Sequence, residues 1–130
     1  MQKEDRQYEA GKHNIGEKEV SVRKKFFYFF LVLTASLTVW SFHYCDSLMC
    51  WSAMLLSSFA TMVLYLEVRY QFCVLFGFFN LYNFGRLGNL HEVKNKEDGK
   101  KDWKKTAQMS LFSLFIATSY ATLIHWLAMK

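Results

Sequence analysis

The chain has 130 residues, a formal net charge of +5, 52% hydrophobic residues and no proline, room for one domain. Its apolar residues crowd into long runs without the charged outer face that a soluble helical core shows, which argues against a soluble globular fold. Its basic residues sit beside those runs, as flanks do in membrane proteins, and no groove-reading motif accompanies them, which argues against nucleic-acid binding.

Residues 1–25 read as a polar N-terminal tail. Glu4, Asp5, Glu9, Glu17 and Glu19 depart from an acid-poor mitochondrial presequence. The length of polar chain before the first apolar run departs from a secretory signal peptide. Arg23, Lys24 and Lys25 then lead into a first predicted span at about 26–45, free of Asp, Glu, Lys and Arg. A bilayer core of about 30 Å needs roughly 20 such helical residues.

An outer turn around Asp46 follows, flanked by Cys45 and Cys50. On an oxidising side this pair is a candidate disulfide closing a short loop, although free thiols are the favoured reading. With His43 they make three ligands, short of a closed structural zinc site, so no metal is expected.

The second span is predicted at about 50–69, continuing as a long or bent helix to about 84. Residues 67–69 contain no Gly, Pro, Asn or Asp to make a turn. The alternative has four spans, with 70–85 crossing back. It would carry Arg86, Lys94, Lys96, Lys100, Lys101, Lys104 and Lys105 to the outer side, against the distribution of basic residues in membrane proteins. The 70–85 run is dense in aromatic rings and reads as an interfacial or partner-facing helix end rather than a lining for a lipid or quinone head group. Asn80 and Asn83 need partners if buried, and Cys73 reads as packing. Glu67 and Arg69 mark the inner end of the second span.

Gly85 and Gly88 suggest a helix stop. Residues 94–105 read as a solvated, charged connection with a turn near Asp98–Gly99. Trp103, Lys104 and Lys105 anchor the entry to a third span at 106–128. The fold class is thus an all-α integral membrane protein with three transmembrane helices, a single membrane domain over 26–130 with a charged 86–105 loop. The N-terminus and that loop share the matrix or cytosolic side.

Small residues recur at helical spacing in each span. The first has Thr34, Thr38 and Ser41. The second has Ala53, Ser57, Ala60 and Thr61. The third has Ser110, Ser113, Ala117 and Ala121. Such stripes let helix backbones approach, within the chain or with partners. His43 and His125 fall near the outer ends of the first and third spans. Two facing histidines at one depth are a candidate site for haem b or a quinone, although headgroup-level placement beside Tyr44 and Trp126 accounts for them as well.

No phosphate-cradling loop, nucleophile elbow or paired His-Glu motif occurs, so no enzymatic activity is expected. The expectation is a small, non-catalytic multi-pass subunit with a structural or assembly role in a larger membrane complex, a respiratory complex included. Its partners would be other membrane-protein subunits and lipid, with no nucleic acid and no soluble small-molecule substrate. The mitochondrial inner membrane is slightly favoured over the endoplasmic reticulum. The alternatives are a haem- or quinone-binding redox anchor and a small transporter, channel or lipid-handling protein.

Overall fold

A computed structural model describes residues 8–44 and 47–129. The chain is mostly helical: α1 is Glu17–Tyr44, α2 Leu48–Tyr70, α3 Val74–Phe79 and α4 Lys96–Ala128. Two short strands, β1 Leu81–Tyr82 and β2 His91–Glu92, pair antiparallel, with Leu81 opposite Glu92 and Tyr82 opposite His91. Three helices, α1, α2 and α4, are long and apolar enough to cross a membrane.

The layout of side chains along these three helices is inverted relative to a soluble bundle. Many of their inward positions carry small or hydroxyl residues: Thr34, Ser41, Ser57, Ser113, Ala117 and Ala121 are buried, beside the larger Val20, Met54, Leu66 and Met109. Large apolar side chains such as Phe29, Val32, Trp40, Leu56, Phe115 and Trp126 point outward and are exposed. In water such a surface has nothing to cover it. Small inward residues bring the helices close and let hydroxyls bond across them. The Thr34 and Thr61 hydroxyls lie 3.1 Å apart across α1 and α2, and Thr38 lies 2.7 Å from the Tyr120 hydroxyl across α1 and α4. Thr38 also bonds the carbonyl of Thr34 one turn earlier, at 2.8 Å. Ala53, Ala60 and Ser110 are half-buried at the margins of these contacts.

The second helix is shorter than its apolar sequence suggests. It stops at Tyr70, because Gln71 turns left-handed (φ 52°, ψ 43°) and returns its N–H to the Glu67 carbonyl. The continuation to about residue 84 is therefore replaced by α3, a second left-handed residue at Asn80, and β1. The six residues of α3 rise only about 9 Å, far short of a bilayer core. What ends α2 is tertiary: Asn14, from the N-terminal segment, captures the backbone of Cys73 on both sides. Its Oδ1 accepts from Cys73 N at 2.6 Å and its Nδ2 donates to Cys73 O at 3.1 Å.

Both charged flanks also differ from what their residues suggest. Helix α1 begins at Glu17, inside the stretch expected as a polar tail, and α4 begins at Lys96, ten residues before the expected third span. The expected turn at Asp98–Gly99 lies within the first turn of α4, behind an Asn95 cap whose Oδ1 accepts from Glu97 N at 3.0 Å. Two tertiary contacts favour helix there. Gly99 lets α4 pass Asn80, whose Oδ1 would lie 2.9 Å from a Cβ at that position. Asp102 is fixed by Tyr8 Oη and Gly11 N, both at 2.7 Å.

Candidate functional site

The starts of α1 and α4 and the end of α2 converge at one end of the bundle, and α3 and the β1–β2 pair close that end. Residues 8–16 run across it and join it at several points, Asp102 and Cys73 among them. Asn14 N and Ile15 N donate to Gln71 O, and the backbones of Asn14, Gly16 and Asn83 exchange hydrogen bonds at 2.8–2.9 Å. Ile15 and Asn14 are fully buried there. Asn83, also fully buried, donates through Nδ2 to Glu19 Oε1 at 2.9 Å and to Arg86 O at 3.0 Å, and accepts from Gly85 N at 3.0 Å. The two asparagines are thus satisfied through both backbone and side chain, as buried polar groups must be.

Arg23 lies at the centre of this end. Its guanidinium donates to Glu19 on the preceding turn of α1, sits 3.3 Å from Glu67 Oε2 on α2, and reaches Cys73 Sγ at 3.1 Å. Its planar carbon lies 5.3 Å from the centre of the Phe76 ring, on α3. One planar, five-donor cation therefore ties three helices to the α2–α3 junction, a geometry that lysine does not reproduce. Glu67 also caps α3: its Oε1 accepts from Val74 N at 3.0 Å, satisfying the first free donor of that helix. Cys73 is a free, buried thiol. Burial, and then the neighbouring Glu67 carboxylate, push its ionisation up, so it stays a neutral thiol. A neutral, enclosed thiol packs rather than attacks.

Most of this cluster is silent in the sequence. Arg23 reads there as a flanking charge and Glu67 as a helix end, and Asn14 and Tyr8 carry no signal. Asn83 alone stands out, as a polar group needing partners.

At the opposite end, His43 is exposed on α1 with its ring 6.0 Å from that of Tyr44. His125 is half-buried on α4, where its carbonyl accepts from Met129 N at 3.1 Å. The Thr38–Tyr120 contact sets α1 and α4 level, and each histidine lies five residues beyond it, so the two share one end of the bundle. Among the described residues no direct bond joins them, and no group of three or more His, Cys, Asp or Glu is placed to hold a metal ion. The Cys45–Cys50 pairing rests on Cys45, which lies outside the described residues, as does Asp46.

Midway along the helices an apolar groove of about 330 Å³ opens between α1, α2 and α4, lined among others by Phe27, Leu31, Thr34, Thr61, Tyr65 and Tyr120. Its walls are hydrocarbon and aromatic, and the hydroxyls of Thr34, Thr61 and Tyr120 are already paired within the bundle.

The N-terminal segment supplies a pH-sensitive contact. Burial, and then the hydrogen bond to Asp102, raise the Tyr8 phenol well above the ordinary tyrosine value. The raised folded value means that Tyr8 contributes stability fully below about pH 10, its unfolded value, and loses it as the pH rises further. We expect the difference between ultraviolet phenol titrations of the parent and of Tyr8→Phe to be a group ionising well above the ordinary tyrosine value. That group should move toward the ordinary value in Asp102→Asn. A Tyr8→Phe difference lying at the ordinary value would contradict the contact.

Comparison with protein-family models, with curated proteins and with solved structures finds no match to this chain. The class defined by the fold is therefore structural: a mostly helical chain with three helices compatible with a multi-pass membrane protein.

Proposed function

We propose that α1, α2 and α4 cross a membrane three times and that the chain is a small, non-catalytic subunit with a structural or assembly role in a larger membrane complex. The observation that carries this reading is the side-chain layout of the three helices: hydroxyl and alanine residues predominate inside, beside Val20, Met54, Leu66 and Met109, while many Phe, Leu, Val and Trp side chains face outward. Lipid or neighbouring membrane helices cover such a surface; water does not. The groove between the three helices adds a concave, apolar seat of the kind a partner helix fills. The Arg23 cluster braces the bundle rather than exposing a reactive group, which suits a scaffold. In this topology residues 8–16 and the 86–105 segment share the matrix or cytosolic side, as their basic residues favour. We favour the mitochondrial inner membrane slightly over the endoplasmic reticulum.

Extraction of the full chain from its own membrane in mild detergent tests the subunit reading. The expected result is migration with other membrane proteins in an assembly several times larger than one chain in a micelle. Recovery as a single monodisperse species, with no other protein at stoichiometric yield, would overturn it.

A further inference from the structure

The first turns of α4 carry Lys96, Lys100 and Lys104 at successive four-residue steps, which places them along one face. Beside them lies a cleft of about 380 Å³, lined by Lys94, Lys96, Lys100, Asn80, Asn95 and Trp103. Its charge is one-sided. Glu97, Asp98 and Asp102 do not line it. Asp98 faces Lys101 at 4.0 Å, and Asp102 is fully buried beneath Tyr8 and Gly11. Among the described residues Lys94, Lys96 and Lys100 make no ion pair. Three lysine side chains thus line a concave surface that two asparagine side chains also line.

The position of the cleft matters as much as its charge. Trp103, 57% exposed, stands three residues before Thr106, where the uncharged stretch of α4 begins. Lys100 and Lys96 then lie about 9 and 15 Å further out along the helix axis. Asn80, on the cleft wall, directly follows α3, whose Leu75, Phe78 and Phe79 are exposed. Apolar and indole groups therefore stand at the membrane border, and the lysines reach outward from it. A freely diffusing anion has no use for the apolar edge, whereas a lipid uses both.

We propose that this cleft binds the phosphorylated headgroup of an anionic lipid in the leaflet it borders. Lys94, Lys96 and Lys100 contact the phosphate oxygens, with Asn80 and Asn95 available to the remaining polar groups. Trp103, Leu75, Phe78 and Phe79 occupy the interface beside the acyl chains. The proposal rests on α4 crossing a membrane and not on the chain being a subunit of a complex.

The full chain reconstituted in phosphatidylcholine nanodiscs is titrated with dansyl-labelled phosphatidylinositol bisphosphate, read by energy transfer from tryptophan. Saturable binding is expected, weakening as salt is raised. The Lys94→Gln/Lys96→Gln/Lys100→Gln variant should bind at least tenfold more weakly. The Lys18→Gln/Lys24→Gln/Lys25→Gln variant, with the same loss of charge at exposed positions on α1, should bind within about twofold of the parent, since those lysines lie outside the cleft. Equal weakening in both variants would mean diffuse attraction and overturn the site. So would dansyl-phosphatidylcholine binding as tightly as the anionic lipid. Soluble inositol trisphosphate displacing the lipid at equal concentration would show that a free phosphate is the ligand and overturn the lipid assignment.

Discussion

Replacing Arg23 by Met is expected to destabilise the chain by about 3–5 kcal/mol, the largest effect of any single substitution we anticipate. The Arg23 side chain is 14% exposed, and its partners Glu19 and Glu67 are 10% and 7% exposed. Removing the cation leaves two largely buried carboxylates without their charged partner and with little water to solvate them. Methionine fills much of the same volume, so the loss is electrostatic rather than a cavity effect. Unfolding in detergent micelles, followed by circular dichroism, measures it. Adding Glu67→Gln to Arg23→Met should recover part of the loss, because the amide removes one unpaired charge and its oxygen still accepts from Val74 N. A cost below about 1 kcal/mol, as for a solvent-exposed ion pair, would show that the cluster is not the brace described.

The second large effect is steric. Gly77 is buried on α3 where it meets α4, and a Cβ there would overlap the Thr106 hydroxyl and lie 2.7 and 2.8 Å from two carbons of the Phe72 ring. Neither neighbour has room to retreat. Phe72 is fully buried, and Thr106 Oγ1 is held by the Val74 carbonyl at 3.3 Å. Gly77→Ala is therefore expected to cost about 1–3 kcal/mol by overpacking, and Gly77→Val more. Thr106→Ala should recover part of the loss in the Gly77→Ala background. Gly85→Ala is the matched control: its nearest neighbours would stand 3.7 Å and 3.9 Å away, in ordinary contact. We expect it to change stability by no more than about 0.5 kcal/mol. Equal effects at Gly77 and Gly85 would contradict the α3–α4 packing.

These two sites differ in how far they can be read from residues in order. The three long apolar helices are legible because length and lack of charge are local properties, counted along the chain. The small inward residues share a helical period that is visible without coordinates. Gly77 shows nothing of its role, since its neighbours Phe72 and Thr106 become its packing partners only once α3 lies on α4. Residues 96–105 read as a solvated connection because they are dense in charge and Gly99 intervenes. They are helical because Asn80 needs the space at Gly99 and because Tyr8 and Gly11 hold Asp102.

Three uncharged stretches of membrane-crossing length, with basic residues crowded on one side of them, follow from residue order alone. Apolar burial is non-directional and scales with area, so composition is enough to specify it. Where α2 ends, and what gathers around Arg23, follow instead from contacts between distant segments. Gln71 has no intrinsic preference for a left-handed turn, and the turn is held by hydrogen bonds exchanged between Asn14 and Cys73, 59 residues apart. Hydrogen bonds and ion pairs are short and directional, so partners distant in sequence find one another only after the helices have been set side by side.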